Sequence, residues 1–518
     1  MYNLGMNFKG NCLKIITLVC SVFMISSCFF NKKFEAYEPF ISTEEFVEET
    51  GNGYFKPASY SSYKAYDEDG NMKPDGYGST YDITYNYFGK RVLRSTKEQK
   101  IVVIPVEFED FTAYTLNVSK EEYVLNLQKA FFGKASTTRY VSVADYYNRS
   151  SYGKLSITGH VCDKFYKFDT SVADININKS SDQLVRDNHS KVIDWYRTNY
   201  PNSGYDLKNG TDTAIYLVYT LPSDSNTENP SFFWAYTFPD LRLSWSSYSM
   251  MNTITGDPDA HTFIHEVGHL FGLMDYYPKE SDNKTIEPTA RIDMMDCSIG
   301  DHSAFSKMYL NWVMPYHVNN SCEFTLKPLV KSGDVVLIND NWNGTVFDEY
   351  YLIEFFSPVD LNYFDTMNGN NKAKLPTLPG IKIYHVDARL GYFDKKKSIS
   401  SSSIFMYYCD EYPTSTDPDD PIKHYSPGPG NMNFAHDNTT NIIEGDDKDI
   451  HINYLYELKL NHVDSGSATG CATNINLYRS GDTFSADKLI FNKENSTKYN
   501  ISVTGLTYEE ATIKIEKL

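Results

Sequence analysis

The sequence predicts an α+β protein: a domain with a mixed sheet and packed helices, then a β-rich, β-sandwich-like C-terminal region. Three observations carry this expectation. Between residues 96 and 318, continuous apolar runs alternate with amphipathic stretches, the pattern of strands and helices packed in layers. After about residue 318 the apolar segments are short, often alternating, and separated by Gly, Asn, Asp and Pro, as in packed antiparallel sheets. The chain has 518 residues, 41% hydrophobic and 15% aromatic, too long for one ordinary domain and apolar enough for sizeable cores. Tyr (42) outnumbers Phe (31), which adds weight to β structure.

The elements follow in order. Lys9 and Lys14 precede an apolar stretch, Ile15 to Met24, of signal-peptide length and too short to span a bilayer comfortably. It ends in Ile25-Ser26-Ser27-Cys28, which resembles a lipobox, so residues 1–28 read as a lipoprotein signal with Cys28 as the lipid anchor; the alternative is an ordinary secretory signal cleaved nearby. Residues 29–95 are polar and rich in Tyr, Gly and Ser, as in a tether or pro-segment. "KIVVIPVEFEDF" (Lys100–Phe111) has the unbroken apolar run of a strand buried on both faces. "SKEEYVLNLQKAFFG" is a helix with Ser119 as N-cap, Glu122 completing a capping box and Gly133 past the last turn. A short helix and the strand Lys154–Val161 follow, then an amphipathic helix in "SSDQLVRDNHSKVIDWYRTNY" and a second buried strand in "TDTAIYLVYT". These belong to a domain spanning 96–318. The β segments "CEFTLKPL", "DVVLIND", "EYYLIEFF", "GIKIYHVDA", "SIFMYY", "INYLYEL" and "TNINLYRSG" belong to 319–480, with polar loops near 363–378 and 411–448. "YNISVTGL" and "ATIKIEKL" close the chain in 481–518.

The chemistry lies in "HTFIHEVGHLFGLMDYY", His261–Tyr277. Asp257-Pro258 reads as a helix start and Gly272 as its stop, giving a helix from about Pro258 to Phe271. At 100° per residue, Phe263, Ile264, Val267, Leu270 and Phe271 make one apolar face, while His265 and His269 fall at about 200° and 240° from Phe263. The two imidazoles are therefore adjacent, one turn apart, and turned away from the core. Neutral imidazoles so placed bind one Zn²⁺, and Glu266 beside them suits a base acting on water. His261, one turn earlier, reads as a first-turn surface residue.

In the metzincin pattern HExxHxxGxxH, a glycine turns the chain so that the residue six past the second histidine reaches the metal. Here the glycine is Gly272 and that residue is Asp275, a competent oxygen ligand. The rivals are Glu280 and Glu287, which Pro278 and Pro288 keep off a regular helix. Such sites also have a methionine turn as a floor. Met295 in "RIDMMD" fits it, with Met294 as the alternative.

These pieces resemble the immune inhibitor A-like family of bacterial zinc metallopeptidases. The match lies in "HEVGHLFGLMDYY", "DMMDCS" with "SKMYLNW", "SVADYYNRSSYGKLSITG", "IVVIPVEFED" and "EYYLIEF…PGIKIYHVD", over roughly residues 95 to 390. The resemblance implies a metzincin-like domain with an active-site helix and zinc on His265, His269 and Asp275. It also implies Glu266 as general base and, often, structural Ca²⁺. One departure is Ile292, where family members usually have tryptophan. Tyr309 is the nearest tyrosine after the methionine pair, too distant to be given a role.

The expectation is an exported, lipid-anchored cell-surface zinc endopeptidase acting on proteins or peptides. The alternative localisation is secretion. The alternative functions are a tethered binding or adhesion protein with an inactive protease-like domain, or a protease directed to host glycoproteins by its β modules. Net charge is −19, and removing residues 1–28, whose charges are Lys9 and Lys14, leaves −21. That excludes the basic field a nucleic-acid binder needs. "STDPDDP" and "EGDDKD" are candidate Ca²⁺ loops, although solvated acidic loops explain them as well, and "DEDGNMKPD" lacks the glycine of an EF-hand. Past Cys28, the remaining cysteines, Cys162, Cys297, Cys322, Cys409 and Cys471, are sparse and lack CxxC spacing, so neither a disulfide scaffold nor a zinc finger is expected.

Overall fold

The computed structural model describes residues 33–60, 93–169, 171, 181–207, 213–222, 233–251, 257–273, 275–276, 293–296, 298–346, 348–368, 376–387, 390–391, 406–407, 454–457, 474, 477–489 and 498–518. Cys28, Glu280, Glu287, Ile292, Cys297, Cys409, Cys471 and the candidate Ca²⁺ loops lie outside them. The fold is mixed α and β, with several mixed sheets and few helices.

The chain first lays down a small hairpin, β1 (Glu49–Gly51) and β2 (Tyr54–Lys56). Residues before it run along the first domain: Tyr37 N–H donates to Phe132 O and Ser42 N–H to Gly153 O. The sheet of that domain is built on β3 (Lys97–Glu107), β4 (Leu155–Val161), β5 (Tyr166–Lys167), β6 (Thr213–Tyr219), β7 (Tyr236–Phe238) and β8 (Leu243–Ser247). The order is β4-β3-β6-β8-β7, with β5 also beside β3. All pairs are parallel except β7, which runs antiparallel to β8.

The unbroken apolar run of β3 has a direct cause. Ile101 and Val103 face one core cluster, whereas Val102, Ile104 and Val106 face another. On the first face pack α1 (Lys120–Phe132), α2 (Val143–Ser150) and the later α4 (His261–Leu270); on the second packs α3 (Ser181–Asn199). A strand covered on both faces has no polar side, so period-2 alternation disappears. Ser119 caps α1 as expected, its Oγ accepting Glu122 N–H at 3.1 Å, and Ser142 caps α2 in the same way, its Oγ accepting Asp145 N–H at 3.2 Å.

Helix α4 begins three residues later than Pro258. Pro258 O is taken by Arg139 N–H and Asp259 N–H by Met251 O, so these residues are tied to neighbouring segments rather than to a first turn. Asp259 is an acceptor at the helix start: its Oδ1 takes His261 N–H at 2.9 Å. Strands β7 and β8 also went unread in the sequence. Alternate residues of "LSWSS" are serines, which look like loop but face the helix side of a buried strand.

After α5 (Ala304–Tyr309) the described residues are mostly sheet, with a one-turn helix at Leu329–Ser332, the longer α6 (Leu361–Asn368) and a 3₁₀ turn at Ala486–Lys488. Its strands are β9 (Tyr316–Val318), β10 (Cys322–Leu326), β11 (Val335–Ile338), β12 (Glu349–Phe356), β13 (Gly380–Asp387), β14 (Leu390–Gly391), β15 (Met406–Tyr407), β16 (Tyr454–Glu457), β17 (Thr483–Phe484), β18 (Tyr499–Leu506) and β19 (Ala511–Lys517). They form a seven-stranded sheet, β1-β2-β9-β11-β12-β13-β16, a four-stranded sheet, β10-β19-β18-β17, and the pair β14-β15. Thus the N-terminal hairpin completes an edge of the larger C-terminal sheet, and β10 pairs with the last strand of the chain. The loop expected near 363–378 opens as helix α6, because Leu361 and Phe364 share the face turned to the core. Cys162 and Cys322 are free thiols.

The seven-stranded sheet is a middle layer. Val335, Leu337, Tyr350, Leu352, Tyr384 and Val386 join the core of the first domain, while Val336, Ile338, Tyr351, Ile353, Ile381 and Ile383 share a cluster with the four-stranded sheet. The consequence for function is positional: helix α4 lies on its own sheet and shares one core cluster with the inner face of the seven-stranded sheet.

Candidate metal centre

Helix α4 lies across β7 and β8 with Phe263, Ile264, Val267 and Leu270 buried in the core. His265 and His269 are thereby turned outward, with side-chain exposures of 12% and 16%. Their rings sit 4.9 Å apart at 86°. Each ring is fixed through Nδ1 by a backbone carbonyl: His265 to Met294 O at 2.9 Å and His269 to Leu273 O at 2.8 Å. A carbonyl only accepts, so Nδ1 carries the proton in both rings and Nε2 is the atom left for a ligand.

The helix ends in a Schellman motif. Gly272 has φ +89°, its N–H donates to His269 O, and Leu273 N–H donates to Gly268 O. This is the left-handed position that glycine occupies without strain. The turn brings Asp275 back over the helix. Its Oδ1 stands 2.9 Å from His265 Nε2 and 3.3 Å from His269 Nε2. Three donor atoms therefore meet at one point.

Electrostatics describe the same convergence. Burial alone would lower both histidines, but the Asp275 carboxylate outweighs it: His265 is raised and His269 is pushed up to about 9. Burial would raise Asp275, and the two imidazoles hold it well below the usual carboxylate range. The pocket is built for positive charge among these three groups. His265, Glu266 and His269 have ligand atoms within 4.8 Å of one another and could hold a metal ion.

Glu266 differs from its neighbours. It is buried at 5% exposure, and the Thr237 hydroxyl on β7 donates to its Oε2 at 2.7 Å. That hydroxyl also lies 2.9 Å from the Glu266 backbone oxygen and 2.7 Å from Ser244 Oγ on β8. Burial raises the Glu266 carboxyl, and the flanking imidazoles offset this only in part. One carboxylate oxygen is thus engaged by the sheet, while Asp275 touches both histidines.

No protein-family model and no curated protein matches the chain. What the centre can do follows from its own chemistry.

Beneath the helix, Met294 and Met295 occupy a turn, residues 293–296, closed by Asp296 N–H to Asp293 O. Both are fully buried. Met294 supplies the carbonyl to His265, whereas the Met295 side chain packs against the helix: a Cβ on Gly268 would stand 2.4 Å from its Sδ. His261 lies in the first turn of α4, its Nε2 without a partner among the described residues, and burial pushes it down to about 4. Tyr309 lies on α5 against Phe305.

Sequence reading missed Thr237 and Gly268. Thr237 had no signal, because its strand was not read as one. Gly268 had one: a glycine inside a helix weakens it by about 1 kcal/mol relative to alanine, so a close contact was the available explanation.

Proposed function

We propose that the protein is an exported zinc endopeptidase of metzincin-like architecture, with a β-sandwich-like C-terminal region. His265, His269 and Asp275 are its metal ligands. The observation that carries this is the meeting of both Nε2 atoms on Asp275 Oδ1 at 2.9 and 3.3 Å. Ligands about 2.0–2.1 Å from a tetrahedral ion stand about 3.3 Å apart, so the donor set fits zinc with little movement. Two imidazoles and a carboxylate leave a fourth position for water, as catalytic zinc sites do. Asp275 keeps 33% side-chain exposure, which gives substrate a side from which to approach.

When bound, zinc supplies an acidified water and charge stabilisation for the scissile carbonyl. The rest is done by this chain. Glu266 takes a proton from the attacking water and returns it to the leaving amine. Thr237 engages Oε2, and Oε1, with no hydrogen-bond partner among the described residues, is the basic oxygen. Thr237 sits at the centre of β7, the end strand of its sheet as described. An extended peptide pairing with that edge would pass beside Glu266, with main-chain hydrogen bonds fixing its register.

Export and anchoring rest on residues 1–28 with Cys28 as the lipidated residue. No helix among the described residues is long and apolar enough to cross a membrane. Zinc is the proposed metal.

The test is Glu266→Gln in the full chain, with bound zinc measured beside cleavage of casein. We expect cleavage to fall by about 10²- to 10⁴-fold, the usual weight of general acid–base catalysis, with one zinc still bound. Undiminished cleavage would refute the mechanism. Preparations that take up no zinc would refute the metal assignment.

A further inference from the structure

We propose that Asp293 is a positioning residue for the metal centre, acting through the turn that holds two of its ligands. The inference rests on the zinc reading above and adds a residue to it. Asp293 is fully buried. Its Oδ1 accepts Met295 N–H at 2.8 Å and lies 3.4 Å from His302 Nδ1. Its Oδ2 accepts Ser303 N–H at 2.6 Å and the Ser306 hydroxyl at 3.1 Å. One carboxylate therefore fastens the 293–296 turn to the start of α5.

The turn presents two successive carbonyls to the centre. Met294 O holds His265 Nδ1 at 2.9 Å, and Met295 O accepts the N–H of Tyr276 at 2.8 Å. Tyr276 directly follows Asp275. A histidine ligand and the aspartate ligand are thus placed by the same few backbone atoms, and Asp293 fixes those atoms. An apolar floor under α4 needs no buried anion, because the Met295 side chain already fills the space at Gly268. Burying a carboxylate is costly unless its lone pairs are met. Here they are met by donors from the turn and from α5, which makes the turn rigid rather than merely packed.

The clamp extends one step further. The N–H of Ala304, in the same first turn of α5, donates to Glu354 Oε2 on β12 at 2.7 Å. The seven-stranded sheet therefore reaches the centre through α5 and Asp293.

Removing partners outside the ligand shell typically costs 10- to 100-fold in metal affinity. The experiment uses the full chain and Co²⁺ as probe, with affinity measured by competition against a chelator and geometry read from the visible d–d bands. Asp293→Asn should bind Co²⁺ about 10- to 100-fold more weakly, with altered bands, while retaining its circular dichroism. Ser306→Ala, which removes one donor to Asp293 and the hydroxyl that meets Tyr276 OH at 2.9 Å, should weaken binding by a smaller factor. Val503→Ala, in the four-stranded sheet, should lower the melting temperature and leave Co²⁺ affinity unchanged, separating positioning from general stability. Wild-type affinity and bands in folded Asp293→Asn would overturn the proposal. Should that variant not fold, wild-type affinity in Ser306→Ala overturns it instead. A wild-type chain that binds no Co²⁺ would sink the zinc reading, a different failure.

Discussion

The centre on α4 and the charged pairs of the seven-stranded sheet use the same side-chain types and close them differently. On the sheet, Lys382 Nζ meets Glu354 Oε1 at 2.8 Å and His385 Nε2 meets Glu349 Oε1 at 2.8 Å, all four residues being buried. Each acid meets one basic side chain, and Tyr351 stacks on the His385 ring at 4.8 Å. On α4 two histidines share one carboxylate oxygen, and both rings are held from behind by backbone carbonyls. A pair needs nothing more. Three groups aimed at one point call for positive charge among them, either protons on the imidazoles or a cation. The difference separates a histidine that pairs two strands from histidines that could hold a metal ion.

The comparison breaks most visibly on the histidines themselves. His269→Ala removes one of three ligands and should cost on the order of 10³-fold in zinc affinity, about a third of a typical site's binding free energy. His385→Ala should leave zinc affinity unchanged and instead destabilise the fold, because Glu349 is left buried without its partner. Chelator competition and denaturant unfolding on both variants check this. Loss of zinc from His385→Ala would erase the distinction.

Much of this was legible in the sequence, for identifiable reasons. The apolar stripe of α4 is set by a 3.6-residue period, so the outward direction of His265 and His269 follows from Phe263, Ile264 and Val267 alone. Gly272 announced a left-handed stop, and the return of Asp275 depends on that one backbone conformation. The sheet strands were legible because Val and Ile runs buried on two faces have few other uses. The rest depends on contacts distant in sequence. Thr237 meets Glu266 across 29 positions, and β7 is too short to carry a periodic pattern. Asp293 reads as one more acid beside a methionine pair until Ser303 and Ser306 are seen folding onto it. The start of α4 was misread because Asp257-Pro258 is a good local signal that Arg139 and Met251 override.

The sheet pairs give the next largest effect. Lys382→Met leaves Glu354 buried with its Oε1 unpaired and should destabilise the chain by about 3–5 kcal/mol, as breaking buried ion pairs does. Pairing it with Glu354→Leu should recover most of that loss, since apolar replacements of a whole buried pair are often neutral. Urea unfolding of the single and double variants measures it. No recovery would show that Glu354 matters more for Ala304 and α5 than for Lys382, and would move this residue from the sheet to the centre.

A smaller effect sharpens the floor of the site. Gly268→Ala would place a methyl 2.4 Å from Met295 Sδ, an overpacking worth about 1–3 kcal/mol. The clash is with a flexible side chain, so Met295→Ala on the same chain should relieve it. Melting curves of the four proteins in this cycle give the coupling. Additive losses would mean that Met295 does not press on the helix and that the floor is formed elsewhere.

The smallest effect concerns protons in place of metal. In the metal-free chain His269 is raised to about 9, Asp275 outweighing the opposing burial. A raised folded-state value stabilises the fold fully below the unfolded histidine value of about 6.5 and is lost as pH rises through about 9. Metal-free protein should therefore lose stability between about pH 6.5 and 9, relative to Asp275→Asn, which lacks the carboxylate responsible. The zinc-loaded protein should not share this loss, because the cation takes the place of the Nε2 protons and does not leave as those protons would. Thermal melts of chelated and loaded protein across that range read the difference. The histidines of the centre would then show two ways of being satisfied, by protons or by a metal, where His385 meets Glu349 across the sheet.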